Sequence, residues 1–256
     1  MPMSAPDCSR VRVKFCGLRS ERDVRTALLA GADAVGFICG QTHRTEDALE
    51  EAAAERLVRL TKTLARSTEE VPDKEGPAPQ RVRGAVATVL VTHLREADAI
   101  VRLADRLGVD EIQVHGLIGP DVLPEIVRAT AGSAHRPAVV RAVHVMDESA
   151  IDDAIAASDT ADAIVLDTRT ADRLGGTGLV HDWTISRRIV ERLGGSGTEV
   201  YLAGGLTPAN VAEAIAVVGP DGVDVNSGVD DARGDKARSA CDAFANAVRS
   251  PLVSRS

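Results

Sequence analysis

Aromatic residues are scarce in this chain, making up 2% of its 256 residues: three Phe, one Trp and one Tyr. Proteins that bind single-stranded nucleic acid stack bases on aromatic side chains, and little material for such a surface is present. Lys and Arg number 30 against 38 Asp and Glu, which gives a net charge of −8. The basic surface of a general nucleic-acid binder is therefore missing as well, and both shortages favour a protein that acts on a small molecule.

Long apolar runs and cysteine frameworks are also lacking. The longest uncharged stretch, residues 200–212, is interrupted by two glycines and a proline and is too short to cross a hydrocarbon layer of about 30 Å. Residues 1–7 have neither the basic start nor the apolar core of a signal peptide. The four cysteines form no CxxC pair, which argues against disulfides and against a structural zinc. We expect a cytoplasmic protein with free thiols and no membrane association.

One pattern recurs along the chain: a helical stretch, a short turn containing Gly or Asp, and a short run rich in Val, Ile and Ala. Turns of this kind begin at residues 31, 108, 160 and 222. Runs that are apolar on both faces are typical of parallel strands covered on both sides. The predicted strands are residues 11–16, 34–38, 85–92, 111–114, 138–143, 163–167, 199–203 and 222–226.

Eight such strands alternating with helices favour a closed (β/α)8 barrel, which takes about 250 residues. A doubly wound parallel sheet is the structural alternative. Helix starts are predicted at Ser20 with Asp23 three residues later, at Thr45, and at Thr207 with Pro208 in the first helical position. We expect one domain over residues 1–256, in which the polar, proline-bearing stretch 67–80 is a flexible surface insertion.

Catalytic groups of a barrel lie at the carboxyl ends of its strands. The first predicted strand ends at Cys16 and the sixth at Asp167, so a thiol and a carboxylate would share the mouth. A thiol there can act as a base or a nucleophile. The structural alternatives are a small buried cysteine and an aspartate that only caps a turn. The occurrence of both residues at one mouth strengthens the catalytic interpretation.

Glycines follow three of the predicted strands: residues 175–178 contain three, Gly204 and Gly205 are adjacent, and Gly228 follows Ser227. Glycine lets backbone N–H groups approach a phosphate closely, and the loops after the seventh and eighth strands are the usual phosphate site of a barrel. The alternative is that these glycines only form tight turns. The paired position of the last two loops predicts a phosphorylated ligand.

Three histidines, His93, His115 and His144, end the third, fourth and fifth predicted strands. Imidazoles on adjacent strand ends can bind zinc with an open position, as in a barrel hydrolase. We expect them instead to be polar residues around the mouth, with no bound metal.

Several segments together carry a resemblance to a known family. They are Lys14-Phe15-Cys16-Gly17-Leu18, Gly31-Ala32-Asp33-Ala34-Val35-Gly36-Phe37, Gln113-Val114-His115-Gly116, Leu166-Asp167-Thr168, Gly175-Gly176-Thr177-Gly178 with Asp182-Trp183, Gly204-Gly205-Leu206-Thr207-Pro208-Ala209-Asn210-Val211 and Val223-Asp224-Val225-Asn226-Ser227-Gly228-Val229. In this order, from residue 12 to about residue 230, they resemble the phosphoribosylanthranilate isomerases of tryptophan biosynthesis.

The resemblance implies a (β/α)8 barrel that catalyses an Amadori rearrangement of N-(5-phosphoribosyl)anthranilate without cofactor or metal. It assigns the general acid to Asp167 and the general base to Cys16. We expect Asp167 to lie where its neutral form is favoured, and the Cys16 thiolate to gain from a positive neighbour such as Lys14. His115 fits the family motif and is expected at the substrate.

From the position of the glycine loops, we expect Gly204, Gly205, Ser227 and Gly228 to bind the phosphate. The resemblance matches Arg44 to the family's arginine for the anthranilate carboxylate. The sequence is compatible with a monomer or a homodimer.

The loop after the second strand departs from the family. Residues 38–47 lack the usual aromatic-rich segment around the matched arginine, and the loop is shorter. An enzyme of the same chemistry that acts on a different phosphoribosylated amine, in specialised metabolism, therefore remains an alternative. A metal-dependent barrel hydrolase or a non-catalytic phosphate-binding barrel fits the pair Cys16 and Asp167 less well. The isomerase of histidine biosynthesis is also less favoured, because that family has an aspartate where Cys16 stands.

Overall fold

A computed structural model of the protein describes residues 10–42, 47–67, 84–132, 136–168 and 180–250. Strands and helices alternate through these residues. The barrel strands are β1 (Arg12–Phe15), β2 (Ala34–Cys39), β3 (Ala87–Thr92), β4 (Glu111–Val114), β5 (Ala138–His144), β6 (Ala163–Asp167), β7 (Glu199–Leu202) and β8 (Gly222–Val225). The helices are α1 (Glu21–Leu29), α2 (Glu51–Arg66), α3 (Ala97–Leu107), α4 (Val122–Thr130), α5 (Ser149–Ser158), α6 (Trp183–Leu193), α7 (Val211–Val218) and α8 (Arg238–Arg249).

All eight strands are parallel, and the sheet closes on itself. Each strand pairs with the next along the chain, and β1 pairs with both β2 and β8, where Lys14 lies opposite Ala34 and Asp224 respectively. The predicted (β/α)8 barrel is therefore confirmed, and the doubly wound alternative is wrong. A two-residue strand, Ala48–Leu49, extends the edge of β2 before α2 begins.

The main core lies between the strands and the helices. Alternate residues of a strand face opposite sides of the sheet, so Val13 and Phe15 of β1 face outward, where the Phe15 ring lies 6.1 Å from the ring of Phe244 in α8. Helix α1 begins as predicted with a capping box, in which Ser20 and Asp23 each accept the other's backbone N–H.

The inward-facing residues form levels inside the barrel. At the amino-terminal end, the Arg12 guanidinium lies 2.9 Å from the Glu199 carboxylate. In the middle, Lys14 donates to Asp224 and to Gln113. The third level lies at the carboxyl ends of the strands, which form the mouth of the barrel. It contains Cys16, His115, His144, Asp167 and Asn226.

Strand positions agree closely with the sequence prediction, and the largest difference is that β3 begins at Ala87 instead of residue 85. Two predicted helix starts are wrong. Helix α2 begins at Glu51, well after Thr45, because residues 48 and 49 first pair with β2. Helix α7 begins at Val211, because Asn210 accepts the Thr207 N–H at 2.7 Å and thereby holds Pro208 in a preceding turn.

The predicted insertion at residues 67–80 lies outside the described residues except for Ser67, which ends α2. The domain boundaries stay a prediction. Among the described residues, no helix is long and apolar enough to cross a membrane.

Candidate functional site

Cys16 directly follows β1 and is nearly buried, with 6% of its surface exposed. Its N–H donates to the Val225 carbonyl oxygen at 2.8 Å, which ties the start of this loop to β8. Burial raises the pKa of the Cys16 thiol to about 12, and the positive charge of Lys14 only partly offsets this. Lys14 is thus the predicted positive neighbour, but the thiolate is not the favoured form.

The charge of Lys14 is already shared inside the barrel. Its ammonium nitrogen lies 2.5 Å from Asp224 Oδ2 and 2.7 Å from Gln113 Oε1, and the side chain is 3% exposed. Burial is the largest single influence and opposes the charged form, but Asp224, Cys16 and Glu111 together raise the pKa of Lys14 to about 12. Lys14 therefore stays an ammonium whose partners are fixed.

Asp167 ends β6 at the mouth and has a polar partner at each carboxylate oxygen. Oδ1 accepts the N–H of Thr168 at 2.8 Å, and Oδ2 lies 3.3 Å from His115 Nε2. Burial acts to raise the pKa of Asp167, but the His115 hydrogen bond and the nearby imidazoles outweigh it and lower that pKa below its ordinary value. The expectation that the neutral carboxyl is favoured here is wrong, because donors surround the carboxylate.

The three histidines at the strand ends pack ring against ring. The His115 ring centroid lies 5.0 Å from that of His93 and 5.1 Å from that of His144. Burial lowers the pKa of His144 to about 4, so this ring is neutral near pH 7. Its Nε2 lies 3.3 Å from the His115 carbonyl oxygen.

The group that could hold a metal ion is not the three histidines. Among the described residues, the ligand atoms that come within 4.8 Å of one another belong to His115, His144 and Asp167. His115 Nδ1 faces the amide nitrogen of Gln113 at 3.3 Å, and its Nε2 faces the Asp167 carboxylate. A ring that accepts at one nitrogen and donates at the other has no lone pair left for a metal, so the arrangement fits a hydrogen-bonded pair better than a metal centre.

His181 belongs to the site but was missed in the sequence. Its Nδ1 lies 2.9 Å from Thr168 Oγ1 and its Nε2 lies 2.6 Å from Ser186 Oγ in α6. Burial lowers the pKa of His181 to about 4. The ring therefore braces the end of β6 against α6. Its only sequence signal is its place beside Asp182 in the motif that carried the resemblance.

The loops after β7 and β8 lie against each other. A Cβ on Gly228 would come within 1.9 Å of the Leu206 carbonyl oxygen, and a Cβ on Gly204 within 2.2 Å of Thr168 Oγ1. Within the described residues, the N–H groups of Gly205, Ser227 and Gly228 donate to no protein acceptor. Two adjacent glycine loops with available N–H groups can bind a phosphate.

Behind these loops, Asn226 links several elements. Its amide nitrogen donates to Asp47 in the loop after β2 at 2.7 Å, and its amide oxygen accepts from the buried Lys236 at 2.9 Å. Gly17 lies so close that a Cβ would come within 2.4 Å of the Asn226 amide oxygen. The contact with Asp47 therefore places the loop after β2 beside the loop after β8. Arg44 and the glycines at 175–178 lie outside the described residues.

Comparison with known proteins places the chain in one family. The family model described as N-(5'phosphoribosyl)anthranilate (PRA) isomerase matches residues 13–247. An N-(5'-phosphoribosyl)anthranilate isomerase 2 of Methanosarcina mazei is 35% identical over 88% of this chain and 88% of its own length. An N-(5'-phosphoribosyl)anthranilate isomerase of Halobacterium salinarum is 37% identical over 94% and 97%.

Solved structures agree with these matches. The phosphoribosyl anthranilate isomerase of Thermotoga maritima superposes with a TM-score of 0.71 at 26% identity, covering 93% of this chain and 98% of its own. A structure of such an isomerase in complex with reduced 1-(o-carboxyphenylamino)-1-deoxyribulose 5-phosphate gives a TM-score of 0.68 at the same identity and coverage. The resemblance seen in the sequence is confirmed: the chain belongs to the N-(5'-phosphoribosyl)anthranilate isomerase family.

Proposed function

We propose that this protein converts N-(5-phosphoribosyl)anthranilate to 1-(2-carboxyphenylamino)-1-deoxyribulose 5-phosphate in tryptophan biosynthesis. The proposal rests on the arrangement of side chains and loops at the mouth of the barrel. A thiol directly after β1 and a carboxylate at the end of β6 lie at the mouth of one barrel, whose loops after β7 and β8 are suited to a phosphate. An aldose-to-ketose isomerisation needs an acid, a base and a place for the phosphate, and needs no redox partner.

Asp167 is the proposed acid and Cys16 the proposed base. Asp167 gives a proton to the furanose ring oxygen as the C1′–O bond breaks and the amine nitrogen forms a C1′=N bond. Cys16 then removes the C2′ proton, and its electron pair forms the C1′=C2′ bond of an enolamine. The enolamine ketonises by losing the O2′ proton and taking a proton at C1′. General acid and base catalysis of this kind contributes about 10²–10⁴ each.

The protonation states before reaction are the reverse of those required, since the thiol is protonated and the carboxyl ionised. Bound substrate acts on both groups in the direction needed. It displaces water from the mouth, and desolvation raises the pKa of a carboxyl. The iminium formed at C1′ then places a positive charge next to the C2′ proton, and such a charge lowers the pKa of a neighbouring thiol.

The phosphate is proposed to lie on the N–H groups of Gly205, Ser227 and Gly228, with Gly204 allowing the loop to pack on Thr168. The anthranilate carboxylate is proposed to bind Arg44, since a guanidinium forms a bidentate pair with a carboxylate. His115, in contact with Asp167, is proposed to touch the substrate beside the acid.

The protein is proposed to work in the cytoplasm. The described cysteines Cys16, Cys39 and Cys241 are free and buried, as is usual where thiols stay reduced. Its oligomeric state is proposed to be a monomer or a homodimer.

The proposal is tested by incubating purified protein with phosphoribosylanthranilate in heavy water, with and without a chelator. The expected product is the ketose carrying deuterium at C1′, formed at the same rate in both samples. Release of free anthranilate and ribose phosphate, with activity lost to the chelator, would support the metal-dependent hydrolase instead. Turnover of another phosphoribosylated amine but not of phosphoribosylanthranilate would favour an enzyme that acts on a different amine. That candidate is tested because the loop at residues 38–47 differs from the family pattern.

A further inference from the structure

A chain of polar contacts connects the middle of the barrel to the proposed acid. Lys14 donates to Gln113 Oε1 at 2.7 Å, Gln113 Nε2 lies 3.3 Å from His115 Nδ1, and His115 Nε2 lies 3.3 Å from Asp167 Oδ2. The side chain of Gln113 is 2% exposed and that of Lys14 is 3% exposed. The contact between Lys14 and Gln113 is therefore shielded from water.

The direction of each bond is determined by chemistry. An ammonium can only donate, so the oxygen of the Gln113 amide must face Lys14 and its NH2 must face His115. Because the NH2 also only donates, His115 Nδ1 must be the acceptor. In the neutral form of the ring, the hydrogen then lies on Nε2, the nitrogen that is 3.3 Å from Asp167 Oδ2.

We propose that Gln113 is a positioning residue, which fixes the Nε2–H tautomer of His115 and through it the orientation of the Asp167 carboxylate. A hydrogen on Nδ1 would face the Gln113 NH2, two donors in contact. The role of Gln113 in catalysis deepens the proposed function and rests on it. The tautomer of His115 does not depend on that function.

The groups around His115 agree with this arrangement. His93 packs on one side of the ring and His144 on another. His144 is neutral, and its Nε2 faces the backbone oxygen of His115 and not either ring nitrogen. Of the described contacts, Gln113 alone holds Nδ1, and Asp167 alone holds Nε2.

The tautomer is measured by NMR of protein labelled with ¹⁵N-histidine, in which two-bond couplings show which ring nitrogen carries hydrogen. The spectrum of His115→Gln identifies the His115 signals. We expect hydrogen on Nε2 and a bare Nδ1 in the wild-type protein near pH 7. Hydrogen on Nδ1 would overturn the proposal without any variant of Gln113.

Gln113→Glu keeps the length of the side chain and replaces the donor by an acceptor. We expect hydrogen to appear on His115 Nδ1 and kcat to fall at least about tenfold, with a smaller change in KM, because the acid and not the binding of substrate is disturbed. Glu111→Gln, on the same strand but two residues toward the other end of the barrel, is the matched control and should keep both the tautomer and kcat.

An unchanged tautomer or an unchanged kcat in folded Gln113→Glu would remove Gln113 from this role. If Gln113→Glu does not fold, Gln113→Met serves instead, and a strict Nε2–H tautomer in it would equally overturn the proposal. Failure of the proposed function is recognised separately, since it would leave the wild-type protein inactive on phosphoribosylanthranilate whatever the tautomer.

Discussion

The thiol of Cys16 lies against the bare backbone of Gly36 in the neighbouring strand. A Cβ built on Gly36 would come within 2.8 Å of Cys16 Sγ and 3.3 Å of Lys14 Cε. Contacts of this kind force a shift, and the side chain of Cys16 is the part free to rotate. Gly36 therefore sets the position of the proposed base.

Gly36→Ala is accordingly expected to lower kcat by about tenfold or more, since general-base catalysis depends on hydrogen-bond reach. The protein should still fold, because position 36 does not have a positive φ. Steady-state kinetics with phosphoribosylanthranilate measure the effect. Gly132→Ala, which adds a methyl group where no atom lies within 4 Å, is the control and should leave kcat unchanged.

Removal of either proposed catalytic group tests the assignment directly. Cys16→Ser and Asp167→Asn should each lower kcat by at least about a hundredfold while thermal unfolding and affinity for a product analogue change little. Both side chains act by transferring protons, so binding of the substrate in its ground state does not depend on them. A variant that retains more than about a tenth of the activity would exclude that residue from proton transfer.

The strands and the two proposed catalytic residues were predictable because their signals are local. An apolar run after a Gly/Asp turn defines a strand, and the residue after it stands at the mouth. The buried contact of Lys14 with Gln113 spans 99 positions and that with Asp224 spans 210, so no local pattern reveals it. For the same reason the pKa directions of Cys16 and Asp167, which depend on burial and distant partners, differed from expectation.

The phosphate loop is tested by two substitutions with equal backbone strain. Gly205 and Gly219 have φ values of +67° and +66°, a region that side chains other than glycine rarely adopt. Gly205→Val and Gly219→Val should lose similar free energies of unfolding, about 1–2 kcal/mol. Only Gly205→Val should also raise KM and weaken inhibition by inorganic phosphate, because Gly219 ends α7 away from the mouth. Equal KM values in the two variants would show that the phosphate binds elsewhere.

Two partly buried histidines, His144 and His181, should make the protein less stable in mild acid. Burial lowers the pKa of His144 and of His181 from 6.5 to about 4. The unfolded chain therefore takes up protons first as the pH falls, and stability present above pH 6.5 is lost progressively down to about pH 4. Each histidine contributes about 1–3 kcal/mol to this loss.

Urea unfolding across this pH range measures the slope. His144→Asn and His181→Asn should each make the slope shallower, and the double variant should make it shallower than either single variant does. The pKa of Asp167 is lowered from its ordinary value of 3.8, so the titration of Asp167 changes the stability only below this pH range. A wild-type protein equally stable at both ends of the range would contradict the neutral, buried state of these rings.

The choice of substrate is tested at Arg44. If this arginine binds the anthranilate carboxylate, Arg44→Ala should lower kcat/KM by about ten- to hundredfold, as expected for a bidentate pair of about 1.5–3 kcal/mol. Arg44→Lys should recover only part of this, since an ammonium cannot form the paired contact. Arg102→Ala, on the exposed face of α3, is the control.

A comparison of two substrates decides whether Arg44 binds the carboxylate. The second substrate is an analogue whose ring lacks the carboxylate, and Arg44→Ala should not affect the turnover of this analogue. Equal losses on both substrates would mean that Arg44 does not read the carboxylate, and would favour an enzyme that uses a different phosphoribosylated amine.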